Sequence, residues 1–317
     1  MNTLEYSSKL INLQLPVRTP VMARVGNTPL IRLIAVTGDI PDTVEVYVKA
    51  EWFNPSGSVK DRPAAAILQD AIQKGDLCDG KTLLDATSGN MGIAYATFCA
   101  GLHIPAHLVI PANATPERLA ILRSLGVELT LADPVEGTEG ARKIAVDLAA
   151  SDPEKYFYAD QYNNPANINA HYHTTGPEIL SQTETRITHF IAGLGTSGTM
   201  MGTGTFLKQN LPDIQLVAVQ PNSPIHGLEG LKHYASGNTP GIYDPRLIDR
   251  TMDVATERAY TMARRLAREE GLMVGVSAAA ATDAALRLAR ELDEGVLVVL
   301  HPDSALKYLN EPFWEQE

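Results

Sequence analysis

Cysteine is scarce in this chain: Cys78 and Cys99 are the only two among 317 residues, and no paired spacing links them. That excludes a disulfide scaffold and a zinc site built on cysteines. Cys99 stands in the apolar run Ala94-Tyr95-Ala96-Thr97-Phe98-Cys99-Ala100 and reads as a buried free thiol. Clusters of positive charge are missing too. Lys plus Arg number 26 against 37 Asp plus Glu, a net charge of −11, so nucleic acid and anionic membrane surfaces are poor partners. No apolar stretch approaches membrane length, and the N-terminus has no basic-then-apolar signal pattern. A reducing cytoplasm is the expected compartment. His171 and His173 lie close together without a third ligand at metal spacing, so no metal is expected. A Walker-type loop and a G-x-S-x-G elbow are also absent.

What is present is an alternation. Short β-branched runs at 44–48, 82–85, 107–110, 128–131, 189–192, 216–220 and 296–300 read as strands. Between them, helical patterns fall at 61–74, 91–101, 116–125, 138–150, 198–209, 257–270 and 278–293. Short connections in such an alternation predict parallel sheets covered by helices, an α/β fold. The length exceeds one typical core, and the strands fall into two clusters. Two units with a cleft between them are therefore expected, joined near the Pro- and Asn-rich segment 163–169.

Four segments carry chemistry. In Asn54-Pro55-Ser56-Gly57-Ser58-Val59-Lys60-Asp61-Arg62, one lysine ends a small-residue loop where an amphipathic run begins. Partial desolvation there favours the neutral amine, which can form a Schiff base with an aldehyde cofactor. Thr87-Ser88-Gly89-Asn90-Met91-Gly92 follows a predicted strand and opens a helix. Hydroxyls, an amide and backbone N–H groups at a helix N-terminus suit a carboxylate. Gly193-Leu194-Gly195-Thr196-Ser197-Gly198-Thr199 lies in the same setting and suits a phosphate. Its glycines also spell a lone G-x-G-x-x-G, but the next strand ends in Gln220-Pro221, without the acidic residue that a dinucleotide ribose needs. The hydroxyls favour a simple phosphate monoester. Gly275-Val276-Ser277-Ala278-Ala279 leads into the last long helix, and its serine alone reads as an N-cap.

In this order and at these separations, the four motifs resemble the cysteine synthase branch of the fold type II pyridoxal-phosphate enzymes. The resemblance extends to Gly26-Asn27-Thr28-Pro29-Leu30, Asp160-Gln161-Tyr162-Asn163-Asn164-Pro165, Thr174-Thr175-Gly176-Pro177-Glu178-Ile179 and Pro302-Asp303-Ser304. It implies two doubly wound open-sheet domains with pyridoxal 5'-phosphate in the cleft between them. The smaller would span 46–159 and carry Lys60 and the Asn90 loop; the larger would comprise 1–45 plus 160–317 and carry the phosphate loop and Ser277. It implies that Lys60 holds the cofactor covalently and that Asn90 meets the ring hydroxyl. Gly195, Thr196, Ser197, Gly198 and Thr199 would hold the phosphate, and Ser277 would meet the pyridine nitrogen. Thr87, Ser88 and Gln161 would grip the substrate carboxylate. A homodimer acting on an amino-acid substrate and a sulfur donor is implied as well.

A serine opposite the ring nitrogen does not keep it protonated as an aspartate would. The ring is then a weaker electron sink, suited to eliminating a good leaving group. The expected reaction is β-replacement on an activated serine, O-acetylserine or O-phosphoserine, with a sulfur nucleophile. Departures from the family pattern are Met91 for threonine, Ala278 for a second serine and Ala305 for glycine. They bear on the substrate grip. The segment from His226 to His233, followed by Pro240-Gly241-Ile242-Tyr243-Asp244, resembles the second, B-type cysteine synthases. Lys232 in it is a candidate partner for an anionic leaving group or sulfur donor. The alternatives are a serine or threonine dehydratase, a cystathionine β-synthase-type lyase, or an idle scaffold that binds a partner enzyme. The phosphate-loop sequence, Met91, the absence of room for regulatory modules and the retention of Lys60 argue against them.

Overall fold

The computed structural model describes residues 19–78, 80–87, 89–236 and 239–315. The first half of the chain runs through β1 (Leu30–Arg32), β2 (Val44–Ala50), α1 (Asp61–Lys74), β3 (Thr82–Ala86), α2 (Asn90–Leu102), β4 (Ala106–Pro111), α3 (Pro116–Ser124), β5 (Glu128–Ala132), α4 (Gly137–Ser151) and β6 (Tyr156–Tyr158). The second half follows with α5 (Pro165–Ala170), α6 (Gly176–Gln182), β7 (His189–Gly193), α7 (Gly198–Asn210), β8 (Gln215–Pro221), β9 (Arg250–Val254), α8 (Thr256–Glu270), α9 (Val276–Ala289) and β10 (Gly295–His301).

Every strand and helix expected from the sequence is present, with one end displaced. The last helix was expected over 278–293, yet α9 spans Val276–Ala289. Its final turn tightens into bonds from Glu291 N to Leu288 O and from Leu292 N to Ala289 O. Arg290 and Glu291 then face outward to Asp39 and Arg250. Within α9 the alanines are buried almost without exception, so the helix packs closely between the sheet and amphipathic α8.

The strands form two sheets. One is six-stranded in the order β1-β2-β10-β7-β8-β9, and the other four-stranded in the order β5-β4-β3-β6. All pairings are parallel except β1 with β2. Central strands β3, β4 and β10 are buried at every residue, whereas edge strands β5 and β9 leave most of theirs at least partly exposed. Helices on both faces produce that contrast. The domain boundary expected at 46 falls inside β2, which pairs with β10 from Val44 to Ala50 and so belongs to the six-stranded sheet.

Strand order reverses once in each sheet. From β3 the chain steps to β4 and β5, then returns to the other side of β3 as β6. From β7 it steps to β8 and β9, then returns beside β7 as β10. Connections diverge at such switch points and leave a crevice beyond the carboxyl ends of the strands. The segments after β3, β6, β7 and β10 all lead into one cleft.

A buried ionic cluster fixes the start of α1. Arg62 is 2 % exposed and donates to Glu51 (Nε to Oε2, 2.6 Å) and to Glu178 (Nη2 to Oε2, 2.7 Å). Lys49 Nζ joins Glu178 at 2.6 Å and the Thr28 carbonyl at 2.7 Å. Burial pushes the Glu178 carboxyl up, but Arg62 and Lys49 outweigh it and hold it at about 2. These contacts explain why Gly26–Leu30 and the 174–179 stretch accompany the lysine motif: they anchor the residue two places beyond Lys60.

Candidate active site

Lys60 is the N-cap residue of α1, with its carbonyl accepting from Ala64 N at 3.0 Å. Its side chain enters a cavity of about 580 Å³ that opens between the two sheets. Burial lowers the affinity of this amine for a proton, and the Asp303 carboxylate opposes the shift. Thr87, Asn90, Met91, Gln161, Gly195, Thr196, Ser197, Thr199, Lys232 and Ser277 line the same cavity. Gly198 begins α7 directly behind them. Ser88 lies outside the described residues.

After β3, the Thr87 hydroxyl accepts from Gly89 N and Gly92 N, both at 3.2 Å, and folds the loop onto the N-terminus of α2. Gln161, just past β6, donates through Nε2 to the Ala86 carbonyl at 3.2 Å. The two segments flanking this switch point are thereby tied together. Met91 is 2 % exposed and supplies an apolar wall where a threonine would have supplied a hydroxyl.

The loop after β7 is held open for a guest. A side chain at Gly198 would collide with the Asn167 amide, and one at Gly195 with the Gly230 carbonyl. Asn167 Nδ2 donates to the Gln161 carbonyl at 2.8 Å and to Thr196 Oγ1 at 3.1 Å. Ser197 occupies the left-handed region at φ 69°, and its buried Oγ has no hydrogen-bond partner. Strain and an orphaned hydroxyl at a helix N-terminus fit an absent anionic group. His171, expected to bind no metal, is committed to Thr175 Oγ1 at 2.9 Å and Thr199 Oγ1 at 3.3 Å. Burial keeps it neutral, with its pKa well below the usual histidine range.

Ser277 is not the cap of α9. That position belongs to Gly275, and Ser277 sits in the first turn, buried and facing the cavity. Asp303 shares this end of the cleft. Its backbone carbonyl accepts from Gly275 N at 3.1 Å, its Oδ2 accepts from Asn90 and Tyr308 at 2.7 Å each, and its Oδ1 is buried without a partner.

At the cleft mouth, charges cross from wall to wall. Lys232 Nζ meets Glu139 Oε1 at 3.2 Å and stands 4.3 Å from the Tyr162 ring centroid. Arg118 of α3 meets Glu229 Oε1 at 2.5 Å. Asp303, Arg118, Glu229 and Glu139 escaped the sequence reading as members of the site. Asp303 and Glu229 stood in quoted segments without a role, and Arg118 and Glu139 carry no local signal, because only the fold brings α3, α4 and the 226–232 loop together.

The lysine, the strained phosphate-sized loop and the two switch points define an enzyme cleft for a phosphorylated aldehyde cofactor. Residues 21–303 match the family model described as "Pyridoxal-phosphate dependent enzyme". The chain is 50% identical over 297 residues to a cysteine synthase of Aquifex aeolicus, covering 92% of this chain and 91% of that one. It is 38% identical over 293 residues to cysteine synthase B of Escherichia coli, covering 92% and 95%. The crystal structure of a cysteine synthase from Entamoeba histolytica superposes with a TM-score of 0.90 at 31% identity, covering 95% of this chain and 92% of that one. That of an O-ureido-L-serine synthase does so with 0.87 at 36%, covering 95% and 96%. This chain therefore belongs to the cysteine synthase family of pyridoxal-phosphate dependent enzymes.

Proposed function

We propose that this enzyme replaces the β-substituent of an activated serine with a sulfur nucleophile, forming cysteine or a close analogue. The observation that carries this reading is a desolvated lysine, Lys60, in the same cavity as a loop whose orphaned Ser197 hydroxyl and crowded glycines suit a monoester phosphate. The relatives named cysteine synthase and cysteine synthase B support the activity.

When bound, pyridoxal phosphate supplies an aldehyde for the substrate amine and a conjugated ring that accepts the electron pair freed at the α-carbon. Gly195, Thr196, Ser197, Gly198 and Thr199 would hold its phosphate, Asn90 its ring hydroxyl and Ser277 its ring nitrogen, and Lys60 would be its covalent anchor. Thr87, Ser88 and Gln161 bind the substrate carboxylate at the positive end of α2, with Met91 as the apolar side of that subsite. With substrate in place, the Lys60 amine would take the proton from the α-carbon, and the electron pair so freed would allow the β-substituent to leave with its own bonding pair. It would return that proton to the α-carbon after the sulfur nucleophile bonds to the β-carbon. Burial, which favours the neutral amine, equips Lys60 to act as this base.

Lys232 has a part in donor choice. It is half-buried on the cavity wall, and its backbone N–H donates to the Leu194 carbonyl beside the phosphate loop at 2.8 Å. An anionic leaving group or sulfur donor would replace Glu139 as its partner. O-Phosphoserine therefore ranks beside O-acetylserine. We also read the protein as a cytoplasmic homodimer: the family resemblance supports the dimer, and the free cysteines Cys78 and Cys99 suit a reducing compartment.

The test measures cysteine formation from each donor with sulfide, in the parent and in Lys232→Ala. The expected result is cysteine from an activated serine, with kcat/KM for O-phosphoserine reduced about tenfold or more in the variant and O-acetylserine affected much less. Equal handling of O-phosphoserine by both proteins removes Lys232 from donor choice. No cysteine from either donor refutes the function.

A further inference from the structure

Lys307 lies in the short 3-10 turn Ala305–Lys307 after β10, outside the residues that line the cavity. Its ammonium nonetheless reaches the site. Nζ donates to Asn90 Oδ1 at 2.6 Å and to the Ser56 carbonyl, in the Lys60 loop, at 3.3 Å. On the other side of the same amide, Asn90 Nδ2 donates to Asp303 Oδ2 at 2.7 Å. Tyr308 donates to that oxygen as well, at 2.7 Å, and so holds the carboxylate in place.

The chemistry of these neighbours fixes the amide. An ammonium can only donate and an ionised carboxylate can only accept, so the two leave Asn90 one orientation. Its carbonyl oxygen must face Lys307, and its NH2 must face Asp303 and the cleft. One N–H of that NH2 goes to Asp303, which leaves the second for a ligand. With the amide reversed, oxygen would meet carboxylate on one side and NH2 would meet ammonium on the other. Two repulsive contacts would then replace two charge-assisted hydrogen bonds.

We propose that Lys307 is a positioning residue, fixing the Asn90 amide so that an NH2 donor rather than a carbonyl oxygen meets the ring hydroxyl of pyridoxal phosphate. The inference rests on the reading of Asn90 given above and adds the residue that makes the asparagine directional. An ionised ring oxygen needs a donor, and a free asparagine amide offers a donor and an acceptor about equally. Lys307 removes that choice before the cofactor arrives. Burial works against the Lys307 charge, while Asp303 and Asp61 help to retain it. Lys60 and Lys307 thus have separate tasks: the first faces the cavity, and the second is held behind Asn90.

The experiment titrates apo-protein with pyridoxal phosphate and follows the absorption band of the bound cofactor. It uses the parent, Lys307→Met, Asn90→Ala and the double variant, with melting curves for each. The expected result is a roughly tenfold weaker cofactor affinity in Lys307→Met, with a shifted absorption band, and a similar loss in Asn90→Ala. In the Asn90→Ala background, Lys307→Met should add nothing, because the amide it orients is gone. Should Lys307→Met fail to fold, Lys307→Gln is put through the same cycle. Parental affinity and spectrum in the Lys307 variant overturn the inference, as does a full further loss in the Asn90→Ala background. If Asn90→Ala itself binds normally, the reading of Asn90 falls and the role of Lys307 with it. If only Asn90→Ala binds weakly, the role of Lys307 alone falls.

Discussion

Burial of the Lys60 amine and the pull of Asp303 act in opposite directions on one proton, and burial dominates. The same carboxylate shares the far end of the cleft with Ser277, so the single hydroxyl there works beside an existing negative charge. Ser277→Asp would add a second carboxylate and favour a protonated cofactor ring. The expected outcome is cofactor still bound and β-replacement slowed by about tenfold or more, measured by absorbance and by cysteine release. Unchanged turnover would reduce Ser277 to a packing residue of α9. The Lys60 loop, the Asn90 loop and the phosphate loop stood out in the sequence as compact motifs beside helix N-termini, whereas Ser277 alone reads as a helix cap and gained a role only through the family resemblance. Asp303 and Lys307 did not stand out. Their importance lies in contacts with Asn90, more than two hundred positions away along the chain, and no local pattern announces such a pairing.

Elements behaved the same way. The run at 296–300 was legible because a buried parallel strand is a continuous apolar stretch, and 44–48 because its valines alternate with Glu45 and Tyr47. Three strands escaped notice: β1, β6 and β9 are short or lie at a sheet edge, and their alternation is too brief to stand out. β3 carries a further consequence at its end. Asp85 is 1 % exposed, burial pushes its carboxyl up to about 7, and Asp160 just after β6 adds to the shift. The folded state thus binds a proton that the unfolded chain, with an ordinary aspartate near 3.8, releases. Stability contributed by that proton is complete below the unfolded pKa and is lost as pH rises from about 4 through about 7. Asp85→Asn removes this dependence. The variant should be more stable than the parent at pH 8, on the order of 2 kcal/mol, and the gain should vanish near pH 4. Denaturant melts at the two pH values check it, and a gain that is equal at both would contradict it.

For the whole molecule, the arrangement that matters is two sheets meeting at their switch points with one cavity between them. Arg118 with Glu229 and Lys232 with Glu139 join the walls at the mouth, and Asn310 adds a bond to Glu117. The carboxylates of both ion pairs are more than a third exposed, so solvent screens them in part. Deep in the cleft the contacts are buried and strong, and there the central claim can be tested directly. The holoenzyme is reduced with borohydride, digested, and mapped for the lysine that carries the reduced cofactor. The label is expected on the peptide containing Lys60, with label and β-replacement both absent from Lys60→Ala. A label on any other lysine, Lys307 included, or a fully active Lys60→Ala variant would contradict it.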